Sequence, residues 1–187
     1  MEKITSRDNR RLVHARKVRE GKISSQIFIE GRRLVGESLR SDLTIDECFV
    51  SESFRDDDLL DAVTKNTNSI AEIPDRICRA LADTDRPQGI ILIATRPTTS
   101  SDLIELRLGS STLPIVIFLK EINNPSNLGA IFRVAEASGV TGIVVSTNSV
   151  DVYSPKAIRA AMGSSFRLPV WEKAGFEEVL CLSLIHI

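Results

Sequence analysis

The stretch of sequence that decides the fold runs from residue 119 to residue 139 and reads Leu119-Lys-Glu-Ile-Asn-Asn-Pro-Ser-Asn-Leu-Gly-Ala-Ile-Phe-Arg-Val-Ala-Glu-Ala-Ser-Gly139. Asn124 is a good N-cap residue and Pro125 suits the first position of a helix, so the stretch predicts a helix over 125–138. Its apolar side chains recur at helical spacing, namely at Leu128, Ile131, Phe132 and Ala135. A stripe of this kind indicates that one face of the helix packs against a sheet.

An apolar, strand-like segment lies on each side of this helix, at 114–119 and at 142–146. A strand, a helix and a second strand in this order form a crossover unit, which predicts a parallel sheet. The helix then begins at the carboxyl end of a strand, where open α/β sheets bind ligands. Free backbone N–H groups at a helix N-terminus suit an anion such as phosphate, so we expect an anion site here.

Three polar or small residues near the helix start carry the chemical interpretation. Arg133 lies one turn after Gly129, and its side chain leans toward the helix N-terminus, so it can lie over the bare glycine. Together with Asn127 these residues predict a polar pocket of the size of a phosphate or a ribose. The alternative is a capped helix with a solvent-exposed arginine, and the spacing alone leaves both interpretations open.

Before residue 97 the sequence alternates between helical and strand-like segments. Helices are predicted at 6–19, 32–41, 57–65 and 75–82, and strands at 26–30, 44–51, 69–73 and 89–94. Polar, turn-rich sequence follows, and we place a linker at 97–113. The sequence therefore predicts a first domain over 1–96 and a second, α/β unit that begins at 114.

The net charge of −1 conceals an uneven distribution along the 187 residues. Residues 1–40 contain eleven Lys and Arg against five Asp and Glu, whereas residues 41–75 contain two against ten. A basic N-terminal block is typical of a polyanion-binding surface, although a solvated helix face gives the same pattern.

Several classes of site are poorly supported. No G-x-G-x-x-G follows a strand and no G-x-x-x-x-G-K-[ST] occurs, which argues against classical dinucleotide and P-loop sites. The two histidines and three cysteines are dispersed, so we expect neither a hydrolytic triad nor a metal site. No apolar run is long enough for a membrane span, and the sequence starts without a signal peptide. On this basis the protein is predicted to be cytoplasmic and to have no membrane partner.

The segment 123–139 resembles the first signature motif of the SpoU/TrmH RNA ribose 2′-O-methyltransferases. The segment 154–163, with Leu168-Pro169-Val170 after it, is similar to the family sequence that follows this motif. The N-terminal part resembles the family's substrate-binding domain at 4–9, 28–33 and 87–90. The resemblance covers residues 3–173.

The resemblance implies an α/β fold in two parts. Residues 1–96 would form a ribosomal-protein-like α/β RNA-binding domain, and residues 114–181 the first part of a SPOUT-type parallel-sheet, trefoil-knot methyltransferase domain whose knot-forming half is missing. The implied reaction transfers a methyl group from S-adenosylmethionine to a ribose 2′-hydroxyl, with ribosomal RNA as the expected substrate. The full-length protein is expected to be a homodimer.

The implied site residues fall into three groups. Arg133 and Asn127 would be catalytic, while Asn124 and Gly129 would form the active-site loop and helix start. RNA contacts are expected from a group of polar residues in the N-terminal domain, namely Arg7, Asn9, Arg10, Arg32 and Arg33. The segment 154–163 is given no chemistry and is expected to pack closely through Ala160, Ala161 and Gly163.

The family's Gly-x-Glu-x-x-Gly and Ser-Leu-Asn motifs, which supply most of the S-adenosylmethionine pocket, do not follow residue 173. We therefore expect a C-terminally truncated, inactive chain whose cofactor residues lie beyond its end, with 182–187 an adapter-derived tail. Two other hypotheses remain open: a non-catalytic RNA-binding module, and a nucleotide-binding α/β enzyme of unrelated chemistry.

Overall fold

The chain divides into two compact units, Met1–Arg96 and Pro97–Ile187. A computed structural model describes residues 1–41, 43–67, 69–109 and 114–185, with side chains through residue 181. The first unit contains β1 (Glu2–Lys3), α1 (Arg10–Arg19), β2 (Gln26–Glu30), α2 (Arg32–Arg40), β3 (Ile45–Ser51), α3 (Asp57–Thr64), β4 (Ile70–Ile73), α4 (Asp75–Leu81) and β5 (Ile90–Thr95).

The first unit is built on a mixed five-stranded sheet with the strand order β1-β4-β3-β5-β2. Strands β1, β4 and β3 run parallel to one another, whereas β5 pairs antiparallel with both β3 and β2. Every side chain from Ile90 to Ala94 is fully buried, so both faces of the sheet are covered at β5. This burial explains why β5 is a continuous apolar run rather than an alternating one.

The second unit contains α5 (Ser101–Leu108), β6 (Val116–Leu119), α6 (Pro125–Ala137), β7 (Gly142–Ser146), α7 (Pro155–Ala161), α8 (Ser164–Arg167), β8 (Val170–Ala174) and α9 (Phe176–Ile185). Its three strands form a parallel sheet in the order β6-β7-β8. The prediction of an α/β chain with a parallel sheet around this helix is therefore confirmed. No described helix is both long enough and apolar enough to cross a membrane.

Residues 97–113, which were predicted to be a linker, contribute a helix to the second unit. In α5, Ile104 and Leu108 are buried and belong to the same apolar cluster as Val144 of β7 and Ala174 of β8. The linker prediction is wrong over 101–108 because these two apolar side chains have a sheet to pack against. Residues 110–113 lie outside the described residues, as do the last two residues of the predicted tail.

One other element boundary differs from the predictions. Helix α1 begins at Arg10 rather than at residue 6, because the side chain of Asn9 accepts a hydrogen bond from the backbone N–H of Arg11 and caps the helix there.

Candidate functional site

The start of α6 is tightly capped. The Oδ1 atom of Asn124 accepts hydrogen bonds from the backbone N–H groups of Ser126 at 2.8 Å and Asn127 at 3.4 Å. The backbone carbonyl oxygen of Asn124 accepts a third hydrogen bond, from Leu128 N at 3.0 Å. Pro125 has no N–H group. The expectation of free N–H groups for an anion is therefore wrong, because the cap residue already uses them, although the positive end of the helix dipole remains.

Gly129 has a different role from the predicted one. It is buried, and a Cβ atom added to it would lie 2.5 Å from the carbonyl oxygen of Ala157, 2.5 Å from Ala160 Cβ and 2.6 Å from Ala161 N. Gly129 is thus the point where α6 crosses α7, rather than a bare surface beneath Arg133. The prediction that segment 154–163 packs closely through Ala160 and Ala161 is confirmed.

Asn127 and Arg133 are both exposed on α6. Within the described part of the chain, neither side chain makes a hydrogen bond or an ion pair. At about 100° per residue they lie about 120° apart around the helix axis, so the helix alone does not bring them together. Their assignment as catalytic residues stays a prediction.

The loop that leads into α6 is held by the loop after β7. The hydroxyl of Ser146 accepts a hydrogen bond from the backbone N–H of Glu121 at 2.8 Å, and that of Ser149 accepts one from Ile122 N at 3.2 Å. The two hydroxyl groups are themselves 3.1 Å apart. These serines were missed by the sequence analysis, because their role depends on β6 and β7 being neighbours.

The C-terminal half of α6 is tied to α8 through Glu136. Its carboxylate accepts from Ser164 Oγ at 2.6 Å, from Arg167 Nε at 2.5 Å and from Arg167 Nη2 at 2.9 Å. The hydrogen bond from Arg167, with a smaller contribution from Ser164, lowers the pKa of Glu136. We call these three residues the Glu136 clamp. Nothing in the local sequence pattern predicts the clamp, because Glu136 lies about 30 residues before its two partners.

A cleft of about 490 Å³ opens in the first unit between α2, α4 and the loop before β5, and we call it the arginine cleft. Three arginines line it, Arg32, Arg79 and Arg86, together with the carboxylates of Asp75 and Asp85. Of these five residues, only Arg32 was predicted as a contact residue.

The guanidinium group of Arg32 is held at the rim of this cleft. It lies 5.0 Å from the centre of the Phe54 ring, and its Nη2 donates to the carbonyl oxygen of Arg55 at 3.0 Å. The carboxylate of Asp56 is 3.8 Å away, which makes a long and exposed ion pair. The ring and the carbonyl orient the guanidinium plane while its edge stays exposed.

The loop that forms one wall of the arginine cleft is fixed at both ends. The buried carboxylate of Glu30 accepts hydrogen bonds from Asp83 N at 2.7 Å and from the hydroxyl of Thr84. At the other end of the loop, Gln88 Oε1 accepts from the backbone N–H of Arg32 at 2.8 Å. The segments around 28–33 and 87–90 are thus in contact, and Gly31, with φ of +98°, makes the turn from β2 into α2.

The acidic side of the cleft is also ordered. Asp75 Oδ1 accepts hydrogen bonds from the hydroxyls of Ser51 and, at 2.7 Å, Ser53, and these bonds lower the pKa of Asp75. Burial raises the pKa of the neighbouring Cys78 thiol to about 11, so this cysteine stays protonated at neutral pH. The cleft therefore presents fixed charges and no thiolate nucleophile.

The other predicted RNA-contact residues are separated in the structure. Arg10 and Arg33 are exposed in the first turns of α1 and α2. Arg7 lines a different cleft of about 430 Å³. Asn9 has a structural role as the N-cap of α1, which competes with its predicted contact to RNA. Among the described residues, no group of three or more His, Cys, Asp or Glu side chains is arranged to hold a metal ion.

Two family models match the chain, and together they span both units. Residues 7–92 match the MRM3-like substrate binding domain, and residues 114–182 match the SpoU rRNA Methylase family. The chain therefore contains two segments that match domain families, one of SpoU methylase type and one of MRM3-like substrate-binding type. The α6 segment described above lies within the SpoU match, and the arginine cleft lies within the substrate-binding match.

Relatives similar to this chain are rRNA methyltransferases, and a solved structure shares its fold. The chain is 32% identical over 150 residues to rRNA methyltransferase 3, mitochondrial, of Xenopus tropicalis, covering 78% of this chain and 35% of the relative. It is 26% identical over 173 residues to the 23S rRNA (guanosine(2553)-2'-O)-methyltransferase RlmP of Bacillus subtilis, covering 91% of this chain and 64% of the relative. The AdoMet-bound rRNA methyltransferase from Sinorhizobium meliloti shares the fold, with a TM-score of 0.82 at 21% identity, over 99% of this chain and 69% of that one.

Two consequences follow from these matches. The chain spans about a third of the length of the vertebrate relatives and about two thirds of that of the bacterial one. The prediction of a cytoplasmic protein is wrong, because similar relatives in frog and human are mitochondrial rRNA methyltransferases.

Proposed function

We propose that this chain is part of a SpoU-type enzyme that transfers a methyl group from S-adenosylmethionine to a ribose 2′-hydroxyl of ribosomal RNA. The observation that carries the proposal is the β6–loop–α6 unit, which lies in the SpoU match and leaves Asn127 and Arg133 exposed on a helix that begins at the carboxyl end of β6. The relatives named above, which are rRNA methyltransferases, support the same reaction.

The proposed role of Arg133 is to orient the ribose and its neighbouring phosphate and to stabilise the developing alkoxide. A guanidinium group stays protonated in proteins, so Arg133 acts as a hydrogen-bond donor and a cation rather than as a base. Its planar fork suits two oxygen atoms at once. Asn127, about 1.7 turns earlier, would help to maintain the geometry of the site.

S-adenosylmethionine supplies an electrophilic methyl group when it is bound. At the carboxyl edge of the second sheet, the hydroxyls of Ser146 and Ser149 have a structural role, because each accepts a hydrogen bond from the loop before α6. We therefore assign no residue of this chain to the adenosyl group of the cofactor.

The first unit is proposed to bind the RNA, with the arginine cleft as the main contact surface. Arg32 and the newly identified Arg79 and Arg86 line the cleft, and Arg33 lies one residue beyond Arg32 at the exposed start of α2. Arginine side chains of this kind bind phosphate and unpaired loop nucleotides. Arg10 is the remaining exposed candidate from the sequence.

The full-length protein is further proposed to be a homodimer. The second unit exposes several large apolar side chains, with Leu106 77% exposed, Val134 64% and Phe176 56%. Exposed apolar surface of this kind is typical of an interaction site. Light scattering of the full-length protein would test the stoichiometry.

The activity is tested with radiolabelled S-adenosylmethionine and large-subunit rRNA. We expect methyl transfer to a ribose by the full-length protein, and a loss of about 10²- to 10³-fold in kcat for Arg133→Lys, because lysine keeps the charge but loses the two-pronged donor. Arg40→Lys, an exposed arginine in the first unit, is the matched control and should leave kcat unchanged.

Two results would contradict different parts of the proposal. RNA binding without any methyl transfer by the full-length protein would favour the non-catalytic RNA-binding module. Near-normal turnover of Arg133→Lys would remove only the role given to Arg133.

A further inference from the structure

Helix α4 separates the arginine cleft from a second cleft on its other side. The second cleft, of about 430 Å³, is lined by Thr5, Ser6, Arg7, Arg76, Ile77 and Ala80. Arg79 faces the arginine cleft, whereas Arg76 faces the second cleft. At about 100° per residue, these two exposed arginines lie about 60° apart, on the ridge of α4 between the two clefts.

The charges in the second cleft favour an anion more clearly than those in the arginine cleft. Its polar lining consists of the guanidinium groups of Arg7 and Arg76 and the hydroxyls of Thr5 and Ser6, with no carboxylate among the lining residues. Within the described residues, the Arg7 and Arg76 side chains make no ion pair. Two unneutralised guanidinium groups at one cleft are suited to hold a phosphate group.

Both walls of the second cleft are fixed by helix α1. Arg16 donates a hydrogen bond to the carbonyl oxygen of Arg7, which holds the segment before α1. Arg19 Nη1 donates to the carbonyl oxygens of Ala80, Leu81 and Ala82 at 3.2, 2.9 and 2.9 Å, which holds the C-terminal end of α4. The two walls are therefore in place before a ligand arrives.

We infer that RNA bound at the arginine cleft continues over α4 into the second cleft, where Arg7 and Arg76 hold one backbone phosphate. The inference rests on the proposed RNA-binding function. It adds a second phosphate site and gives the RNA a path across the first unit, along Arg32, Arg79 and then Arg76. Thr5 and Ser6 supply hydroxyl groups on the same side as Arg7.

The test is the salt dependence of binding to a hairpin from large-subunit rRNA, measured with the chain as it stands. Arg76→Glu and Arg7→Glu should each weaken binding and should each reduce the slope of log K against log salt by about 1, as expected for the loss of one phosphate contact. Because both arginines hold the same phosphate, the double variant should lose no more slope than either single variant.

The matched control is Lys65→Glu, which makes the same change of charge on an exposed residue in the same unit, at the far end of α3 from Asp56. A slope that falls equally in Lys65→Glu and Arg76→Glu would overturn the inference, since the effect would then be one of overall charge. Arg76→Gln repeats the test with a neutral side chain, and circular dichroism checks that each variant is folded.

Two further outcomes separate this inference from the proposal on which it rests. If wild-type protein does not bind the hairpin, the proposed RNA binding and the second phosphate site are both wrong. If wild-type protein binds and the Arg7 and Arg76 variants keep the wild-type slope, only the second phosphate site fails. Calorimetric titration with inorganic phosphate tests whether the second cleft binds free phosphate instead of RNA. If Arg76→Glu abolished phosphate binding but left the affinity for RNA unchanged, the assignment of this cleft to RNA would be overturned.

Discussion

At the scale of single residues, two glycines in the middle of helices differ in how much space surrounds them. Gly129 is required by the close approach of α7, whereas the nearest atom to a Cβ on Gly36 of α2 would be Arg40 Nη1 at 3.9 Å. We therefore expect Gly129→Ala to lower the free energy of unfolding by about 1–3 kcal/mol, because backbone atoms of α7 would have to move. Gly36→Ala should raise it by about 0.5–1 kcal/mol.

Denaturant unfolding of the two variants measures both effects. Equal stabilisation by both alanines would show that α6 and α7 are not in close contact at Gly129. Such a result would also restore the earlier interpretation, in which Arg133 lies over a bare glycine.

The residues of the candidate site were predictable only where their role is local. Asn124 and Pro125 were identified correctly as the start of α6, because cap and first-turn preferences depend on neighbouring residues alone. The role of Gly129 was not predictable, because its partners Ala157, Ala160 and Ala161 come from a helix almost 30 residues later. The same reason applies to Arg79 and Arg86, because they come together at the arginine cleft only when the sheet has folded.

At the scale of elements, the Glu136 clamp links α6 to α8 and makes a pH-dependent contribution to stability. The pKa of Glu136 is lowered from 4.5, so the unfolded chain binds more protons than the folded chain as the pH falls. The contribution is therefore complete above about pH 5 and is lost on acidification through the lowered pKa. We expect Glu136→Gln to cost about 1 kcal/mol at pH 7, a small value because the carboxylate is about a third exposed.

The measurement is the free energy of unfolding of wild type and Glu136→Gln between pH 3 and pH 7. The difference between the two proteins should narrow below about pH 4.5, and Arg167→Gln should reduce the same pH dependence. Other titrating groups, including Glu47, whose pKa burial raises, are common to all the variants and cancel in the difference. Parallel curves for wild type and Glu136→Gln would contradict the clamp.

Element types were predicted better than element boundaries. Apart from β1, the helix and strand segments of the first unit, and β6–α6–β7 of the second, follow from hydrophobic periodicity and turn residues. Helix α5 was missed because its sequence between two polar stretches gives little signal, and only the sheet beside it accounts for the burial of Ile104 and Leu108. The start of α1 was placed too early because several residues before Asn9 could also serve as caps.

At the scale of the whole molecule, each unit has its own sheet and its own apolar core. We therefore expect two unfolding transitions. Phe49→Ala, in the first unit, and Phe132→Ala, in the second, remove buried rings of equal size, and each should cost about 3–5 kcal/mol. Because each ring is buried in the core of its own unit, each substitution should shift only one transition.

Chemical denaturation followed by circular dichroism, with each variant compared to wild type, measures the two transitions. A single transition that both substitutions lower by the same amount would show that the units unfold as one.

The anchoring of the loop from Asp83 to Gln88 affects which of its residues can change as the sequence evolves. Glu30 fixes Asp83 and Thr84 at one end, and the contact of Gln88 with the start of α2 fixes the other. Asp85, Arg86 and Pro87 lie between these anchors, so their identity and number can change without disturbing the sheet. Evolution can therefore alter what this wall of the cleft recognises while the scaffold stays intact, and a directed library confined to these three positions has the same freedom.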